Sequence, residues 1–193
     1  MRSTTAPAVL LDLTAAGALL DRAVALLDPL LRQVRPIDLT RPTPCARWDV
    51  GWLITHLQDA VAAVAEAASG EVRVEPRLVA RPEPVGVADA ARALLEQWRA
   101  DAAGSPVVVG TAHLTPGVLL GAAALEIAVH ADDLAVALGR PGMDDALALT
   151  LWPVARALVR TGDRAGRFGA PVEVPPGSPP RMVLRAHLGR RPG

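Results

Sequence analysis

The sequence predicts an all-α fold: a bundle of four long helices with a short C-terminal extension. Three observations point there. The chain is 51% hydrophobic but only 3% aromatic, so its core must be assembled from Ala, Leu and Val, and Ala and Leu are strong helix formers. Four segments of similar length carry apolar residues at helical period. No self-similarity of solenoid length is visible, so these segments must bury their seams against one another. A length of 193 residues suits one domain, drawn here as a bundle over residues 1–164. A Pro/Gly-rich tail over residues 165–193 follows, with a short helix that packs on the bundle.

The first helix should begin between Val9 and Thr14 and run to about Val34, with Leu13, Leu19, Leu20, Val24, Leu27 and Leu31 on its apolar side. Pro29 must kink it or restart it after Asp28, because proline has no N–H to donate. Arg35 to Arg47 is a proline-punctuated connection. The second helix takes Asp49 as N-cap, repeats Val50, Leu53, Ile54, Leu57, Val61 and Val64 at helical period, and stops at Ser69-Gly70. A loop to Gly86, with a short extended piece at Val72–Val74, leads to a third helix over Val87–Ala103. Pro106 to Leu114 is β-branched and extended. Thr115-Pro116 then supplies an N-cap and a proline at the first helical position for a fourth helix ending at Leu138 before Gly139. A fifth spans Asp144 to Arg160 with a bend at Pro153, and a last short one covers Arg181–Leu188.

The formal net charge is zero, and all 20 basic residues are arginines scattered along the chain. A nucleic-acid surface needs a concentrated basic field, so that partner is excluded. One cysteine rules out an internal disulfide framework and a cysteine-based structural zinc site. No apolar run is long enough to span a bilayer, and Asp12 interrupts the N-terminal apolar stretch with no cleavage site after it. These features lead to the expectation of a soluble cytoplasmic protein without a membrane partner, compatible with a homodimer.

The polar residues of the fourth helix need a reason. At about 100° per residue, Leu120, Ile127, Leu134 and Leu138 form its apolar centre, and Glu126, His130, Asp133 and Ala137 form an adjoining stripe. Glu126 and His130 lie about 40° apart, so their side chains can converge. His56 sits at the edge of the second helix's seam, a turn after Trp52. A carboxylate and two imidazoles are the inventory of a catalytic-type divalent site with open positions. Alone, the Glu-His spacing is close to a chance event: His130 at the edge of the core and Glu126 in solvent would read the same way.

Two stretches resemble a known family. Thr43 to Leu57, T-P-C-A-R-W-D-V-G-W-L-I-T-H-L, is similar to the N-terminal signature of the mycothiol-dependent maleylpyruvate isomerase family, which belongs to the DinB-like metal-binding bundles. Leu125 to Pro141, L-E-I-A-V-H-A-D-D-L-A-V-A-L-G-R-P, is similar to the family's second signature, roughly Glu-x-x-x-His-x-Trp-Asp-Leu-Ala. The tail, G-R-F-G-A-P-V-E-V-P-P-G-S-P-P-R-M-V-L-R-A-H-L-G-R-R-P, resembles the ending of small single-domain actinobacterial members. The resemblance implies a DinB-like four-helix bundle, with His56, Glu126 and His130 as ligands of a divalent metal, zinc foremost. It also implies mycothiol or another low-molecular-weight thiol as cofactor. The chain departs from the pattern in carrying Asp132 where the family has tryptophan, although the next aspartate is kept as Asp133. Asp132 is expected to point to solvent, the alternative being added charge at the mouth of the site. The additional C-terminal domain of the full-length isomerases has no counterpart here.

The function implied is a metal-dependent thiol isomerase or S-transferase acting on a small electrophilic molecule. Asp133 and Asp132 are the candidate orienting groups or proton acceptors. The rival readings are a non-catalytic metal-binding ligand or interaction module of the same fold, and a structural bundle whose site is vestigial. Cys45 precedes the second helix, where a thiol can be acidified, but within the Thr-Pro-Cys turn it reads as a packed, inert thiol. His113 and His187 have no ligand-spaced partner, Trp52 and Trp98 read as packing residues, and Asp59 is either an acceptor for the His56 ring or a helix-surface charge.

Overall fold

The computed structural model describes residues 12–46, 48–72, 81–100, 106–110, 112–160, 162, 164 and 168–191. Among them it contains six α-helices and one small sheet. Helix α1 (Leu13–Leu31) starts where Asp12 Oδ1 accepts the Ala15 N–H at 2.7 Å. The expected start at Val9 falls outside the described residues. Pro29 does not restart the helix; it lies inside α1, which ends two residues later at Leu31, three short of the expected Val34. Placed in the last turn, the proline withholds one bond of the ladder, the one its N–H would have given to the Ala25 carbonyl, and few helical residues follow it.

Helix α2 (Val50–Ala68) begins as expected on Asp49, whose carboxylate accepts the Trp52 N–H at 2.8 Å. Helix α3 (Pro84–Ala100) opens three residues before the expected Val87, because Pro84 occupies the first helical position, where its missing N–H is harmless. The segment expected to be simply extended is a hairpin. Strand β2 (Val107–Val109) turns at Gly110, which adopts φ 59°, and pairs antiparallel with β3 (Ala112–Leu114). Strand β1 (Glu71–Val72) joins β2 in parallel at the end of α2.

Helix α4 (Pro116–Leu138) is capped by Thr115 and closed by Gly139, as its sequence requires. Helix α5 (Asp145–Leu158) takes Asp144 as N-cap and continues through Pro153. Helix α6 (Pro180–His187) lies against α5 and buries Leu184. The packing order explains the site. Helix α4 touches α1 along most of its length, α2 on another side and α5 on a third. It is therefore buried on nearly every face, and His130, Asp132 and Asp133 are only 6%, 3% and 2% exposed. No rim is left for a solvated stripe, and each of these groups must find a partner inside the protein. Among the described residues no helix is long and apolar enough to cross a membrane.

Candidate functional site

The site forms where the first turns of α2 meet the middle of α4. A tight turn precedes α2: the Cys45 N–H donates to Thr43 Oγ1 at 3.2 Å, and that hydroxyl donates to the Trp48 carbonyl at 2.9 Å. This turn sets the Trp48 indole against both candidate imidazoles, 4.8 Å from the His56 ring centre and 5.6 Å from that of His130, stacked on the latter. Trp52, a turn further on, stacks on the outer side of Trp48 at 5.8 Å and is 59% exposed. It is not the packing residue expected.

His56, Glu126 and His130 each offer a ligand atom, and these atoms lie within 4.8 Å of one another. His56 Nε2 is 2.5 Å and His130 Nε2 3.2 Å from the same oxygen, Glu126 Oε1. The two imidazoles meet edge to face, with ring centres 4.9 Å apart. The cluster is open on one side: the His56 and Glu126 side chains keep 30% and 37% of their exposure, while that of His130 keeps 7%.

Behind His130 runs a second layer. Its Nδ1 lies 3.0 Å from Asp133 Oδ2, and Asp133 in turn accepts two bonds from Arg190, Nε to Oδ1 at 3.2 Å and Nη2 to Oδ2 at 2.9 Å. Burial works against charge on all three groups, but their mutual contacts prevail. Burial alone would lower the His130 pKa, yet the hydrogen bonds to Asp133 and Glu126 raise it to about 9. Burial likewise pushes the Glu126 carboxyl up, and the His130 and His56 hydrogen bonds pull it below its ordinary range. For Asp133 the opposing influences are the His130 hydrogen bond and the Arg190 charge, and its pKa also ends lowered.

Asp132 faces elsewhere. Far from pointing to solvent, its carboxylate takes Arg185 Nε at 2.5 Å and Nη2 at 2.7 Å, and accepts the Met143 N–H at 2.9 Å. It is thus committed to α6 and the α4–α5 connection, and a proton-accepting role at the cluster does not suit it. The reason is the burial of α4: a carboxylate one residue from Asp133 is still inside the protein, and α6 supplies its counter-charge.

Cys45 is half-buried, and burial raises its thiol pKa, aided by the Asp133 and Glu126 charges and opposed by Arg190. It is not poised as a thiolate. Trp98 is 7% exposed and donates its Nε1–H to the Val64 carbonyl at 3.1 Å, a packing role as expected. His113 is exposed on β3, and Asp59 is half-buried on α2. The His187 ring sits edge-on to Trp152 at 5.2 Å, and burial lowers its pKa. Sequence reasoning missed Arg185 and Arg190. Two adjacent carboxylates in a helix buried all round would have announced a need for cations, but nothing in the spacing says which.

Comparison with known proteins adds the following. The family model described as the mycothiol maleylpyruvate isomerase N-terminal domain matches residues 20–135, a span that holds His56, Glu126, His130 and Asp133 but stops short of Arg185 and Arg190. The uncharacterized proteins MT0763 and Rv0738, from two strains of Mycobacterium tuberculosis, are each 34% identical over 167 residues, covering 83% of this chain and 90% of theirs. A crystal structure of the mycothiol-dependent maleylpyruvate isomerase superposes with a TM-score of 0.51 at 19% identity, over 75% of this chain and 68% of that one. A mutant of that enzyme gives 0.53 at 16% over the same shares. At these identities the superpositions establish a shared fold.

Proposed function

The chain belongs to the mycothiol maleylpyruvate isomerase N-terminal domain family, and from that premise we propose that it is a divalent-metal protein using a mycothiol-type thiol on a small electrophile, as an isomerase or S-transferase. The observation that carries the proposal is the convergence of His56, Glu126 and His130, with ligand atoms within 4.8 Å on an open side of the bundle. The donor set fits a zinc-type ion: two imidazole nitrogens and a carboxylate oxygen are borderline ligands that zinc accepts in catalytic sites, leaving a position free. An ion held there supplies Lewis acidity and lowers the pKa of a thiol or water that reaches it.

The remaining chemistry belongs to the chain. Asp133 accepts a hydrogen bond from the Nδ1–H of His130, which leaves Nε2 facing the cluster as the nitrogen that would bind the metal. Trp48 covers both imidazoles and keeps water from that side, and the exposed Trp52 beside it offers an apolar wall to an incoming molecule. The high pKa of Cys45 suits a reaction whose thiol comes from outside the chain.

Two measurements test the proposal. Untagged protein should carry about one equivalent of zinc, and His56→Ala and His130→Ala should not; equal metal content in parent and variants refutes the ligand set. Zinc-loaded protein should then consume mycothiol in the presence of model electrophiles. A rate no higher than that of Glu126→Ala would identify a non-catalytic metal-binding module instead.

A further inference from the structure

We infer that Arg190, contributed by the C-terminal tail, is a positioning residue for the metal centre, acting through Asp133 on His130. The inference rests on the metal reading above. Its grounds are the chain of contacts behind His130 and the way the tail is built to complete it. Arg190 is 7% exposed and Asp133 2%, so their double contact is sheltered from solvent. A guanidinium gripping both oxygens fixes the carboxylate plane as well as its charge. The same Asp133 Oδ2 that receives Arg190 Nη2 also lies 3.0 Å from His130 Nδ1. The arginine thereby determines where the acceptor for the ligand ring stands, and with it the aim of His130 Nε2.

The tail is shaped for this delivery. At the end of α6 the Gly189 N–H donates to the Ala186 carbonyl at 3.0 Å and the Arg190 N–H to the Arg185 carbonyl at 2.9 Å, the paired bonds of a Schellman cap. Gly189 takes φ 81°, and a Cβ there would collide with the Gly169 backbone, so glycine is required twice over. The cap reverses the chain and sends the next side chain, Arg190, back toward α4, where Nη1 is also held by the Leu188 carbonyl at 3.1 Å. Arg185, five residues earlier, docks the same tail on Asp132 without touching His130 or Asp133. The molecule therefore contains an internal comparison: one arginine that anchors the tail through Asp132, and one that anchors it and reaches His130 through Asp133.

The test is zinc affinity by chelator competition and the visible spectrum of the cobalt(II)-substituted protein, for the parent, Arg190→Met, Arg190→Gln, Arg190→Lys and Arg185→Met, with folding checked by circular dichroism. Arg190→Met should weaken zinc binding by about 10- to 100-fold, the usual cost of losing an outer partner of a ligating histidine, and should shift the cobalt bands. Arg190→Gln keeps an N–H donor but no charge and serves if the methionine variant does not fold; it should weaken binding similarly. Arg190→Lys should recover part of the loss, and Arg185→Met, which loosens the tail but leaves the Arg190–Asp133 contact to form, should weaken binding less than Arg190→Met and leave the cobalt bands nearer the parent's. Parent-like affinity and spectrum in a folded Arg190→Met or Arg190→Gln protein would overturn the inference. So would an equal loss in Arg185→Met, which would reduce Arg190 to tail anchoring, or a lysine no better than glutamine. A parent protein that binds no zinc would instead remove the metal reading itself, and the inference with it.

Discussion

Truncating Asp132 to alanine should destabilise the protein by about 4 kcal/mol. Asp132 is 3% exposed, and its carboxylate accepts two bonds from Arg185 and one from the Met143 N–H. Removing one side of a buried ion pair costs about 3–5 kcal/mol because the surviving charge is left without compensation. An orphaned buried N–H adds about 1–3 kcal/mol. The Arg185 side chain keeps 18% of its exposure, so water can reach the abandoned guanidinium, and this holds the total toward the lower part of that sum. For a chain of this length each kcal/mol moves the melting midpoint by about 2–4 °C, so Tm should fall by roughly 8–16 °C.

Urea unfolding followed by far-UV circular dichroism, on metal-free protein, measures the effect in a double-mutant cycle. Arg185→Met alone should also be costly, since it strands the Asp132 carboxylate. The pair Asp132→Ala with Arg185→Met leaves no buried charge unmatched, so its cost should fall well below the sum of the single changes, with a coupling of about 2 kcal/mol. If Asp132→Ala costs less than about 1 kcal/mol, or the costs add within about 0.5 kcal/mol, the buried-pair reasoning is wrong and Asp132 behaves as a solvated residue.

Two further outcomes are expected. The metal-free protein should melt highest between about pH 4 and 6.5. Asp28 and Asp133 have pKa values lowered below 3.8, so their contribution is present above that value and lost as pH falls, while His130, raised from 6.5 to about 9, contributes fully below 6.5 and loses that contribution as pH rises through 9. A melting profile that stays flat from pH 6 to 10 would contradict the His130 part. Second, Trp48 stands 4.8 Å and 5.6 Å from the two imidazole rings, so titration with cobalt(II) should quench tryptophan emission in the parent and in Trp152→Phe but far less in Trp48→Phe. Equal quenching in all three would place the bound ion away from this cluster.

The helices could be read in the sequence wherever a local device announced them. Asp49, Thr115 and Asp144 each cap the helix they precede, and the Ala/Leu seams repeat at the right period. The His56, Glu126 and His130 positions could be singled out because two signatures on separate helices each carried a ligand type. What stayed hidden depended on distance along the chain. Arg185 lies 53 residues from Asp132, and Arg190 lies 57 from Asp133; no local pattern encodes such pairings. The exposure of Asp132 was misjudged for a related reason. Periodicity assigns a helix one apolar side and one wet side, whereas α4 packs against α1, α2 and α5, and His130, Asp132 and Asp133 are all internal although they face different ways. Trp52 was misjudged in the opposite sense, because Trp48 had already taken the place over the imidazoles.

The departure from the family pattern at position 132 therefore changes meaning. As a sequence feature, aspartate in place of tryptophan bears on the mouth of the site and on what enters it. In the structure the position is filled from both sides: the short aspartate extends from α4, and the long stem and guanidinium of Arg185 reach in from α6. Gly142 leaves room for the pair, since a Cβ there would collide with Asp132 Oδ1. At this position the chain therefore carries a buried ion pair that ties the tail to α4. The neighbouring pair, Asp133 with Arg190, uses the same tail to brace His130. Adjacent aspartates on one buried helix so divide the work, the first holding the tail in place and the second placing the tail's other arginine behind His130.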